Sequence, residues 1–372
     1  MAYFILYGKN RPMETGSMYG IKSKKMYSTT HDRRRFISDA YKVLALGGIT
    51  MLGFGMKPND NPPAARHTRS GRADTRHGGP ETSSILIINE KFSSLKHANG
   101  WLNSRALSNS DLKNKVIVVN FWTYTCINWL RQLPYIREWS QRYKNKGLIV
   151  IGVHTPEFGF EQHLSNVRTA TSKLNVDYPV AIDNDRVIWE TFNNNYWPAL
   201  YVFDAKGKLR HQKFGEGGYD ECEQVIKQLL YESAAVDLDD GLVHSVGKGV
   251  EAPADWNNLF SPENYLGRVR TENFISMVER SQDRRKNYTI PEQLKLNQWA
   301  LSGEWTFNAE NIHSKMPGVK IAYQFHARDL HLVMGPSMNG KPVQFRILIN
   351  GESPGNAHGT DVDEKGNGIV IE

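Results

Sequence analysis

Eight consecutive residues, Lys115 to Trp122 (KVIVVNFW), constrain this chain more than any other segment. The run is apolar and rich in β-branched residues, which suits a strand buried on both faces of a sheet. Such a strand needs helices above and below it, so the expected class is α/β. A helix follows at once. From Cys126 to Tyr143 the residues Leu130, Leu133, Ile136, Trp139 and Tyr143 recur at three- and four-residue spacings, with Pro134 inside the run as an expected kink. Cys126 therefore falls at the first turn.

The alternation continues. Leu148 to Val153 reads as a second buried strand, and the next helix carries Phe160, Leu164, Val167 and Leu174 on one face. Asp177 to Ile182 and Val187 to Phe192 read as a short strand and a short helix. Ala199 to Phe203 and Leu209 to Phe214 flank Ala205-Lys206-Gly207-Lys208 as a hairpin, and a closing helix from Tyr219 buries Val225, Ile226, Leu229 and Leu230.

Strand, Cys at a helix start with a proline eight residues on, β-α, then Trp197-Pro198 before a hairpin and final helix: this order resembles the thioredoxin fold. The segments Phe121-Trp122-Thr123-Tyr124-Thr125-Cys126-Ile127-Asn128, Gly152-Val153-His154-Thr155-Pro156-Glu157, Tyr196-Trp197-Pro198-Ala199 and Lys213-Phe214-Gly215-Glu216-Gly217 resemble the periplasmic redoxin part of DipZ-type, TlpA-like proteins. The resemblance spans residues 85–235. It implies a redoxin domain in which Cys126 is the nucleophile, Pro198 is a cis-proline beside it, and Glu216 is a loop acid near the thiol.

Helix position agrees with that implication, because unpaired N–H groups and the positive dipole end favour thiolate. Trp122, Thr123, Trp129, Trp197 and Pro198 are the expected walls of the substrate site. The chain has two cysteines, Cys126 and Cys222, which excludes a disulfide-stapled scaffold and a Cys-rich metal site. His154 and His163 are isolated, and no metal or cofactor is expected.

The family motif is C-x-x-C, whereas here the fourth position is Trp129. A dithiol enzyme frees itself from a mixed disulfide with its second thiol, so two-cysteine chemistry by residues 126–129 is excluded. Three readings remain. Cys126 exchanges disulfides as a monothiol, with an external thiol or Cys222 as the resolving partner. Alternatively Cys126 is a peroxidatic thiol, since Thr123 stands three residues before it as in the T-x-x-C of peroxiredoxins, although Val119 replaces that motif's proline. In the third reading the domain is a redox-inactive peptide-binding module. The expected partner is a thiol- or disulfide-bearing protein or a small thiol.

Net charge is +7, but residues 1–80 hold 14 Lys and Arg against 5 Asp and Glu, so the remainder carries −2. With the basicity confined to a leader, nucleic-acid binding loses its electrostatic support. Arg33, Arg34 and Arg35 before an apolar, glycine-containing stretch from Val43 to Met56 resemble a twin-arginine export signal. That stretch is too short for a bilayer core, which needs about 20 residues. The expectation is a leader over 1–56, a flexible linker over 57–84, no integral membrane span in the mature chain, and a periplasmic or cell-envelope location.

Residues 236–262 read as a second linker. Strand-like runs follow at Trp305 to Phe307, Val319 to His326, Asp329 to Met334 and Val343 to Ile349. Pro262-Glu263-Asn264-Tyr265-Leu266-Gly267, Leu296-Asn297-Gln298-Trp299-Ala300-Leu301 and His358-Gly359-Thr360-Asp361-Val362-Asp363 resemble the jelly-roll, carbohydrate-module-like domain that follows the redoxin part in DipZ-type proteins. The second domain is thus expected over 263–372 as an all-β sandwich cut short at its C-terminus, with Trp299 and Trp305 as core aromatics.

Overall fold

Alternate residues of the Lys115–Trp122 run do enter two different cores. The computed structural model describes residues 2–5, 91–234, 238–239, 241–278, 285–335 and 341–371. The arginine-rich leader signal and the 57–84 linker lie outside the described residues.

A short strand, β1 (Ala2–Ile5), pairs antiparallel with His331–Met334. The first large sheet is built from β2 (Gly100–Leu102), β3 (Val116–Trp122), β4 (Leu148–His154), β5 (Val180–Ile182), β6 (Ala199–Phe203) and β7 (Leu209–Phe214) in the order β2-β5-β4-β3-β6-β7. Strands β3, β4 and β5 run parallel, while β2, β6 and β7 pair antiparallel. The helices α1 (Asn109–Leu112), α2 (Ile127–Tyr143), α3 (Leu164–Lys173), α4 (Val187–Thr191) and α5 (Tyr219–Ala234) accompany it. Helix α2 continues through Pro134. This is the thioredoxin-like arrangement expected from the order of the segments; β2 and α1 had no signal in the sequence pattern.

Val116, Val118 and Trp122 face α2 and α5, where they join Trp129, Leu133, Ile136, Trp139, Ile226 and Leu230. Ile117, Val119 and Phe121 face the other way, onto Ile188 and Trp189 of α4 and Phe192 just past its end. Burial on both faces is what a continuous apolar run supplies and an alternating one cannot. Placing β3 at the centre puts its C-terminal end, and hence Cys126, at the middle of one sheet edge.

The 236–262 segment is a fastened strap wherever it is described. Arg137 of α2 makes a two-pronged ion pair with Glu251, both distances 2.7 Å. Arg142 reaches Asp239 at 2.8 Å, and the Val243 amide donates to Glu223 of α5 at 2.8 Å. These contacts involve single side chains, which leave no periodic trace in the sequence.

The C-terminal part is antiparallel β throughout its ladders. Strands β8 (Met277–Val278), β9 (Arg285–Thr289), β10 (Trp299–Phe307) and β11 (Ile312–His313) form the order β11-β10-β9-β8, with β12 (Lys320–Tyr323) also on β10. The strand β13 (His331–Met334) holds β1, and β14 (Val343–Arg346) pairs with β15 (Asn367–Val370). Trp299 and Trp305 are buried here with Leu266, Tyr288, Leu301 and Ile312. The strand expected at Trp305 to Phe307 is the end of the longer β10. Among the described residues no helix is long and apolar enough to cross a membrane.

Candidate thiol site

The chain leaves β3 through Thr123–Thr125 and enters α2 at Cys126, which is the residue capping the helix, in an extended conformation (φ −74°, ψ 108°). Its N–H donates to the Thr123 carbonyl at 3.2 Å and its carbonyl accepts from Leu130 at 2.9 Å. The amides of Asn128 and Trp129 donate to its sulfur, the stabilisation expected at a helix start. That stabilisation is outweighed. Burial first, then the charges of Glu157 and Glu263, push the thiol well above its usual value, and Cys126 is only 7% exposed. In the resting protein Cys126 is therefore a thiol.

Trp129, at the position of the absent second cysteine, is wholly buried. It stacks on Trp122 with ring centroids 4.1 Å apart, and its indole N–H donates to Asn120 Oδ1 at 2.9 Å. Asn120 in turn donates to Gln132 Oε1 at 2.8 Å. This neutral chain of amides and an indole underlies the thiol. Trp122, Thr123 and Trp129 are all wholly buried and form the floor of this region. Trp197 is partly exposed, with its indole N–H on the Thr155 carbonyl at 3.0 Å. The Trp197–Pro198 peptide is cis.

Glu216 is engaged in an ion pair. Its carboxylate is held by Arg131 of α2 at 3.2 Å, and both side chains are nearly inaccessible. The carboxylates that act on Cys126 are Glu157, just after β4, and Glu263, from the segment leading into the C-terminal strands. The Pro156-Glu157 step after a buried strand was visible in the sequence; the partnership with Glu263 was not, because more than 100 residues separate the two.

Cys222 lies in the first turn of α5, wholly buried, with its sulfur 3.4 Å from His211 Nε2, and burial pushes its pKa up to about 12. His211 pairs with Val202, which pairs with Val118. Trp122 is four residues further along β3, about 13 Å at ~3.3 Å per residue. A disulfide needs Cα atoms within about 7 Å, and both cysteines are free in this fold.

Around the floor lies a second polar layer. Glu161 accepts from the Thr125 hydroxyl at 2.6 Å, from the amides of Glu157 and Phe158 at 2.8 and 2.9 Å, and from the Thr123 hydroxyl. Thr123 Oγ1 also lies 3.5 Å from His154 Nε2. The Thr123 hydroxyl is thus engaged by Glu161 and His154. Burial holds His154 neutral, down to about 3.

Residues 88–212 match the AhpC/TSA family, and residues 261–372 match the thioredoxin-like C-terminal domain family. Protein DipZ of Mycobacterium bovis is 34% identical over 271 residues, covering 68% of this chain and 37% of DipZ. The chain therefore spans little more than a third of that relative. The thiol-disulfide oxidoreductase YkuV of Bacillus subtilis is 25% identical over 148 residues, 40% of this chain and 99% of YkuV. A solved thioredoxin-like protein in its oxidised form is 27% identical, with 36% of this chain and 90% of that one covered and a TM-score of 0.34. Through residues 88–212, which match the AhpC/TSA family, and residues 261–372, which match the thioredoxin-like C-terminal domain family, this chain is similar to DipZ and to the thioredoxin-like thiol-disulfide oxidoreductases.

Proposed function

We propose that this protein carries out thiol–disulfide exchange with Cys126 as its one reacting sulfur, and that an external thiol completes each cycle. The thiolate of Cys126 attacks a disulfide, one partner sulfur leaves as a thiol, and a mixed disulfide remains on Cys126. A second, external thiol then attacks that bond, releasing Cys126 and forming a new disulfide. The observation that carries this reading is the pair of amides, Asn128 and Trp129, donating to a sulfur whose usual intramolecular partner is replaced by a buried tryptophan. Neither Trp129 nor Cys222 offers an internal way out. Export through the Arg33–Arg35 signal and a jelly-roll form for residues 263–372 belong to the same proposal.

Native protein incubated with a small disulfide is expected to gain one mixed disulfide on Cys126, found on its peptide by mass spectrometry and removed by added thiol. Labelling that occurs only after unfolding would overturn the proposal. It would favour the redox-silent binding module, a reading supported by the burial of Cys126 and the upward push on its thiol.

A further inference from the structure

Glu157 is tied to the C-terminal domain by two contacts. The Tyr265 hydroxyl lies 3.2 Å from Glu157 Oε1 and 2.8 Å from Glu263 Oε1, so its one proton bridges two carboxyl groups. Arg270 stands 3.6 Å from the same Glu157 oxygen, with its guanidinium stacked on the Tyr265 ring at 3.6 Å from the centroid. Glu161, the third carboxylate nearby, is already engaged by four donors. Glu161 thereby bridges Thr125, the neighbour of Cys126, and the Glu157 amide, which sets Glu157 next to the thiol loop while its carboxyl is held from the second domain.

Counting charges shows what such a cluster can do. Ionising Cys126 beside an ionised Glu157 and Glu263 gathers negative charge in a buried place, which costs heavily. Moving the Cys126 proton onto Glu157 leaves the number of charges unchanged. Burial, Glu263 and Glu161 push Glu157 up to about 7, with Arg270 and Tyr265 acting in the opposite direction, so its carboxyl exchanges protons near neutrality.

We infer that the thiol site is composite: Glu157 takes the proton of Cys126 as the sulfur attacks, and Tyr265 and Arg270 of the C-terminal domain are positioning residues for that acid. This rests on the exchange reading above. The Cys126 S–H proton passes to the Glu157 carboxylate, directly or across one water. The thiolate forms a bond to one sulfur of the partner disulfide while the S–S bond breaks, and the departing thiolate collects the proton from Glu157. No net electrons enter or leave in this half; the partner's disulfide becomes one mixed disulfide and one thiol.

Alkylation of Cys126 by iodoacetamide in the full chain, followed on its peptide from pH 5 to 10, tests the inference. Coupled titration predicts two rises in rate, the first near pH 7 and the second at the higher thiol value. Glu157→Gln should abolish the first rise. Tyr265→Phe, which keeps the ring under Arg270, should move that rise up by about half a pH unit or more, because a donor to the carboxylate is lost; Arg270→Met should move it the same way. A purely structural role would scale the whole profile without displacing the first rise. An unmoved first rise in Tyr265→Phe, or two intact rises in Glu157→Gln, overturns the composite site and leaves the exchange reading standing. The predicted shifts without any mixed disulfide on Cys126 would support the composite site while refuting exchange.

Discussion

The indole N–H of Trp129 donates to Asn120 Oδ1 at 2.9 Å, placing a structural hydrogen bond where a two-cysteine enzyme would keep its second sulfur. Trp129→Phe keeps most of the stack on Trp122 but leaves the buried Asn120 acceptor short of its donor, at a cost of about 1–3 kcal/mol. Trp129→Cys, which recreates the C-x-x-C spacing, should cost about 3–5 kcal/mol through the cavity it opens. Urea denaturation of both variants checks the order. A Trp129→Cys protein as stable as its parent would contradict the packing described.

Cys222 is expected to be a bystander in the chemistry. Cys222→Ser should leave the yield of mixed disulfide on Cys126 unchanged and should lower stability modestly, since a buried sulfur is replaced by a hydroxyl. Loss of Cys126 reactivity in a folded Cys222→Ser protein would refute the distance derived from the strand register.

Glu157 and His154 give opposite dependences of stability on pH. Glu157 holds its proton in the folded chain up to about pH 7 but loses it near 4.5 when unfolded, so its contribution is present below 4.5 and lost as pH rises through 7. His154 stays neutral down to about 3 while the unfolded ring protonates near 6.5, so its contribution is present above 6.5 and lost as pH falls towards 3. Glu157→Gln removes only the first. Relative to that variant, the native protein should gain on the order of 2–3 kcal/mol between pH 8 and pH 4.5. Thermal melts at several pH values measure this difference, and parallel curves would refute it.

Glu216 is expected to act on stability and not on thiol ionisation. Glu216→Ala removes one side of an inaccessible ion pair with Arg131 and should cost on the order of 3 kcal/mol. The alkylation profile of Cys126 in the milder Glu216→Gln variant should keep its first rise in place. A displaced rise would restore Glu216 to the role its loop position implied.

Export through the leader predicts that changing Arg33 and Arg34 to Lys retains the protein in the cytoplasm. Cell fractionation provides the readout, and an unaltered envelope location would remove the twin-arginine reading.

Backbone order and the reacting sulfur were legible in the sequence because both leave local signatures. The β3 run, the helical spacing from Leu130 to Tyr143 and the Ala205–Lys208 turn each declare themselves within a few residues. Trp129 was legible as a departure from the motif, but its inward direction was not, since a tryptophan beside a thiol suits a lid as well as a floor. Glu216 was legible as a loop acid for a related reason, whereas its ion pair with Arg131, 85 residues away, was not. Glu157 and Tyr265 escaped notice because their contact spans two domains, and no periodicity encodes a hydrogen bond between residues 108 positions apart. Short elements such as β2 and α1 carry too few residues for any pattern to emerge.

The clasp between Arg137 and Glu251 bears on how such chains are inherited. With that clasp holding the connecting segment and Tyr265 reaching Glu157 beyond it, the chain after the first fold is fastened back to it at separate points. A hybrid joining the first half of one relative to the second half of another would have to match both stitches at once, so the halves are expected to descend as a pair.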